Sequence, residues 1–64
     1  MIRVIRLNGS DIYVNPDLVL TLEETPDTVL TMTNGEKFVL KDKVEEVVQR
    51  YIDYKRSINP YKGA

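Results

Sequence analysis

"LNGSDIYV" (Leu7–Val14) and "TNGEKFVL" (Thr33–Leu40) are the two stretches whose reading decides how this chain folds. In each, Asn-Gly is followed two residues later by a short run rich in strand-forming residues. The repetition has two readings, a duplicated ligand loop or one turn used twice. A phosphate loop needs a helix starting immediately after it, so that backbone N–H groups point at the anion. Here strand-like runs follow instead. Two units offset by 26 residues are also too few for a repeat array, which needs about three or more to be stable. Asn-Gly tolerates positive φ, as a tight type I′ hairpin turn requires, so both sites are expected to be hairpin turns.

Working outward, "IRVIRL" (Ile2–Leu7) places Ile2 and Val4 on one face and Ile5 and Leu7 on the other, a strand with apolar groups on both sides. "DIYV" returns with Ile12 and Val14 opposite Tyr13, and Asn15-Pro16 ends it because proline has no N–H to give the ladder. From Leu18 to Leu22 the alternation is clean, which predicts a strand burying Leu18, Leu20 and Leu22. Pro26-Asp27 suits the centre of a type I turn. "VLTMT" then predicts a strand with Leu30 and Met32 on one face, and "KFVL" one with Phe38 and Leu40 inward.

After Leu40 the period changes from two to 3.6. Val44, Val47, Val48, Tyr51, Ile52 and Lys55 recur at helical spacing. Asp42 with Glu45 reads as an N-cap and capping box, and Asn59-Pro60 stops the helix. The fold class expected is α+β: an antiparallel meander of about five short strands with one C-terminal amphipathic helix packed on it. Residues 1–58 form one small domain and 59–64 a loose tail.

Composition narrows the function. Cys and His are both absent, which removes disulfides, thiolate–imidazole chemistry and the usual zinc ligands. No loop spaces carboxylates as a calcium site does. A domain this small buries only about 60% of its unfolded surface, so self-association is the expected additional source of stability. Net charge is −1, which disfavours a dedicated nucleic-acid binder. No run approaches the roughly 20 apolar residues of a membrane helix, and "MIRVIRLNGS" is not a signal peptide. The chain reads as cytoplasmic.

No catalytic constellation is visible. Glu23/Glu24 and Glu45/Glu46 are sequence neighbours, so neither pair faces itself across a cleft. Ser10 and Ser57 have no histidine to activate them. What remains is a surface. Tyr51, Tyr54 and Ile58 continue one stripe from Val47, while Val44, Val48, Ile52 and Lys55 form another, and together they make a face wider than a small sheet needs. The plain reading packs Tyr51 on the sheet and lays Tyr54 over its rim. The sharper one docks Tyr54, Ile58 and Tyr61 against a second protein chain. "YKRSINPYK" (Tyr54–Lys62) also mixes rings with cations, which leaves as the alternative a small nucleic-acid-binding regulator using the sheet face and basic C-terminal segment. A small-ligand module would need a cleft larger than this core provides.

"MIRVIRLNG" (Met1–Gly9), "VNPDLV" (Val14–Val19), "EETPDTVLTMTNGEKFVL" (Glu23–Leu40) and "VEEVVQRYIDYKR" (Val44–Arg56), in this order and spacing, resemble the flagellar FlbD family of small bacterial proteins. The segment after Ser57 departs from the family pattern. The resemblance implies a non-enzymatic cytoplasmic protein of swarming and flagellar motility, with no cofactor and no inherited catalytic residue. It implies a protein partner in the motor, a stator component at the basal body. Pro26 and Asp27 within "TPDT", together with Tyr51, Tyr54, Lys55 and Arg56 at the helix end, are the surface features available to touch it.

Overall fold

The computed structural model describes residues 1–58, the side chain of Ile58 excepted; the expected tail therefore lies outside the described residues. Along the chain come β1 (Ile2–Ile5), β2 (Asp11–Val14), a 3-10 turn (Pro16–Leu18), β3 (Val19–Glu24), β4 (Thr28–Met32), β5 (Lys37–Leu40) and α1 (Val44–Ile58). All strand pairs are antiparallel. The expected α+β class is what forms.

Both Asn-Gly sites turn the chain, and they do so with one hydrogen-bond pattern. Gly9 N–H donates to the Arg6 carbonyl and Arg6 N–H to the Ser10 carbonyl, each at 2.8 Å; Gly35 to Met32 (3.0 Å) and Met32 to Glu36 (2.8 Å) repeat this. Among the described residues only Gly9 and Gly35 have positive φ, +94° and +93°. A type I′ turn needs two such residues, so the expected turn type is not the one used. Each hairpin instead has a type I turn followed by a left-handed glycine, the three-residue loop with a bulge. The asparagines keep negative φ because their side chains do another task. Asn8 Oδ1 accepts from Ser10 N–H and Asn34 Oδ1 from Glu36 N–H, at 3.0 and 2.9 Å. Leu7, expected to share a face with Ile5, lies inside the first of these turns and is half exposed.

The meander divides into two sheets, β1–β2 and β3–β4–β5. The break falls at Pro16, where Asn15 caps the 3-10 turn by accepting from Asp17 N–H at 3.0 Å. The sheets meet instead through β1 and β5. Lys41 N–H donates to the Ile5 carbonyl and Leu7 N–H to the Val39 carbonyl, both at 2.8 Å, around an Arg6–Leu40 bridge. The ribbon thus curls until its first and last strands touch.

β3 departs from its expected alternation. Leu18 belongs to the 3-10 turn, and the β3–β4 register shifts between Val19 and Thr21. That irregularity inserts a residue, so Val19 and Leu22 face the core while Leu18 and Leu20 are exposed, Leu20 at 64%. The β3–β4 connection also differs. Glu24 pairs with Thr28, leaving three linking residues where a type I turn centred on Pro26-Asp27 requires two. The Thr25–Pro26 peptide is cis, and Thr25 N–H donates to the Asp27 carbonyl at 3.2 Å.

Ile2, Val4, Val14, Leu30, Met32, Leu40 and Val47 form the core, with Ile12, Val19, Leu22, Phe38 and Tyr54 packed around it. Among the described side chains of the helix only Val47 is buried. What fixes the helix is polar. Asp42, 5% exposed, accepts from Ile5 N–H at 2.7 Å and pairs with the Arg50 guanidinium, which also donates to the Arg3 carbonyl at 3.1 Å. Asp42 is therefore not the helix N-cap expected of it. Lys43 takes that position: its carbonyl accepts from Val47 N–H at 3.1 Å, and its N–H donates to Glu46 Oε1 at 2.8 Å. The reciprocal carboxylate is Glu46 and not Glu45, one residue along from the predicted capping box. Burial by itself would raise the Asp42 pKa, but the Arg50 and Ile5 hydrogen bonds outweigh it and hold the carboxyl below its ordinary value.

Two outcomes are expected. Gly35→Ala meets open space but must keep positive φ, so urea unfolding should show a loss of about 1–2 kcal/mol, and Gly9→Ala the same. Because the folded Asp42 pKa is lowered, its contribution is complete above the unfolded value near 4 and is lost as pH falls through the folded value. Asp42→Asn should therefore cost about 1–3 kcal/mol at neutral pH, and its difference from the parent should shrink as pH drops below about 4.

Candidate functional site

Helix α1 runs antiparallel to β3 and is tied to its neighbourhood at both ends. Near its start, Val44 N–H approaches Glu24 Oε1 at 3.4 Å; near its end, Lys55 Nζ reaches Asp17 Oδ1 at 2.7 Å. Between these ties lies an open groove of roughly 230 Å³, lined by Ile2, Pro16, Val19, Leu22, Val47, Val48 and Tyr51. The bulge in β3 builds one wall by turning both Val19 and Leu22 this way. Pro16, buried at the break between the sheets, closes one end.

On the solvent side of this groove α1 leaves Val48, Tyr51 and Ile52 exposed at 42%, 39% and 38%. Their spacing of three and four residues puts them on one strip of the helix. Tyr54 is half-buried against the core, so the two tyrosines exchange the positions that the plain sequence reading gave them. The reason is rotation: with Arg50 turned toward Asp42, Tyr54 falls against the core and Tyr51 at the groove edge. Lys55 Nζ stands 5.6 Å from the Tyr51 ring centroid while bonded to Asp17, and that bond holds the ammonium pKa above its usual value. Arg56 is exposed. The Ile58 side chain and Tyr61 lie outside the described residues.

Pro26 and Asp27 do not join this group. They sit at the far end of β3, lining a shallow polar depression with Leu7, Glu24, Lys41 and Lys43. A six-residue strand, about 20 Å long, separates them from the Asp17–Lys55 end. The candidate residues are thus two surface features and not one site. Ile2, Pro16, Val19 and Leu22, which shape the groove, were absent from the sequence selection. Proline at a strand end gave no sign of it, and a bulge leaves no mark in a run of leucines. Val48 and Ile52 did carry a signal, the excess width of the apolar face.

Among the described residues no group of three or more carboxylates converges as a metal site would, and no helix is long and apolar enough to cross a membrane. These are the features of a small α+β domain with an uncovered apolar helix face. The chain belongs to the FlbD family, described as flagellar and swarming motility proteins, whose model matches residues 1–59. It is a flagellar, motility-related protein. No curated protein and no solved structure matches it.

The two tyrosines should separate by mutation. Tyr54→Ala removes a ring packed on the core and should cost about 2–4 kcal/mol in thermal or urea unfolding, whereas Tyr51→Ala should cost under about 1 kcal/mol.

Proposed function

We propose that this chain is a non-enzymatic interaction module of flagellar motility, acting in the cytoplasm at the basal body on a protein of the motor, with the stator as its target. The family supports the setting. The observation that carries the binding role is the strip of Val48, Tyr51 and Ile52 beside the apolar groove, left open although the core beneath it is closed. A large ring with a polar tip at the rim of an apolar groove is a common anchor arrangement at protein interfaces. Lys55 and Arg56 border the same strip and supply charge that orients an approaching partner.

The test joins motility to binding. Tyr51→Ala and Val48→Asp, each verified to unfold cooperatively, should abolish or sharply reduce swarming, and affinity capture from flagellated cells should lose motor proteins that the parent chain retains. Undiminished swarming by both folded variants would overturn the proposal. Capture of nucleic acid, with affinity falling steeply as salt is added, would replace it with the regulatory alternative.

A further inference from the structure

We propose that the exposed face of α1 pairs with the same face of a second copy of this chain, the two helices antiparallel about a two-fold axis. The inference rests on the reading of this face as an interaction surface; it assigns Val48 and Ile52 to a second copy and leaves Tyr51 and the adjoining groove to the motor protein. Val48 and Ile52 are four residues apart on one side of the helix, with their midpoint at residue 50. Glu45 lies in the first turn and Arg56 in the last turn, both exposed, and they flank the same strip with their midpoint within one residue of that position. One two-fold axis through the middle of the helix therefore stacks Val48 on Ile52 of the other copy and sets Glu45 against Arg56 of the other copy, twice over by symmetry.

An interface of this kind must be self-complementary, and this face is: acidic at one end, apolar in the centre, basic at the other. A partner of uniform charge would be attracted at one end and repelled at the other. Lys55, also in the last turn, is held back by Asp17 and leaves Arg56 as the cation that reaches across. Antiparallel helices also set their macrodipoles in opposition, which favours this direction of pairing. With no cysteine and no histidine the chain has no disulfide or zinc site to add to a small core, and a second copy is another source of stability for a domain of this length.

Sedimentation equilibrium on the purified full-length chain should show a monomer–dimer equilibrium, and Ile52→Asp should abolish the dimer with the helix content retained. Glu45→Lys and Arg56→Glu should each weaken self-association about tenfold, because each places like charges opposite one another at both ends of the axis. Mixing these two variants should restore a heterodimer of parental affinity, as should combining both changes in one chain. That rescue is specific to antiparallel pairing. A chain that stays monomeric at hundreds of micromolar, or single variants that fail to rescue each other, would overturn the self-pairing. A monomeric chain whose Tyr51→Ala variant still loses swarming would sink this inference and leave the motility proposal standing.

Discussion

Asp42 reaches across three pieces of the fold from a position almost without solvent contact. Its carboxylate takes the Ile5 N–H at the end of β1 and the Arg50 guanidinium in the middle of α1, and Arg50 continues to the Arg3 carbonyl. Leaving the buried Asp42 carboxylate unpartnered would be expensive, so its position enforces those of Ile5 and Arg50. The consequence is rotational. Arg50 facing Asp42 puts Val47 and Tyr54 against the core, while Val48 and Ile52, each two residues from Arg50 and so about 200° around the helix, must face outward. An apolar contact alone would permit the helix to roll; an ion pair to the buried Asp42 carboxylate does not.

That constraint explains why the molecule has a usable surface at all. A 64-residue chain has few apolar side chains to commit, and here several large ones stay at the surface although the core is closed. Leu7 and Leu20 are outward because a turn and a bulge place them there. Val48, Tyr51 and Ile52 are outward because the helix is held in one orientation, and Val48 and Tyr51 line the groove between α1 and β3. In this member of a flagellar and swarming motility family, the interaction proposed above rests on that exposed apolar face.

The sequence revealed what depends on local chemistry and concealed what depends on partners far along the chain. Gly9 and Gly35 were legible because a left-handed residue at a hairpin leaves few alternatives. The turn type was not, since Asn8 and Asn34 can satisfy the turn through side-chain hydrogen bonds without adopting positive φ. α1 was legible from its period. Leu18, Leu20 and Leu22 misled because an inserted residue reverses the faces of a strand without altering its composition. Asp42 misled for the same kind of reason: aspartate before a helix is a good cap, and only the position of Ile5, 37 residues earlier, diverts it. Of the candidate interaction residues, the helix group was visible as excess apolar width, and the β3 wall of the groove was not.

The most direct test of the account is a double-mutant cycle between Asp42 and Arg50, built from Asp42→Asn, Arg50→Gln and the pair together, with unfolding free energies taken from urea melts at neutral pH. The account predicts a coupling of about 1–3 kcal/mol, the double variant being much less damaged than the two single losses added together. Single losses that simply add would contradict it, because the helix would then be held by its apolar contacts alone and nothing would fix the face it turns to solvent.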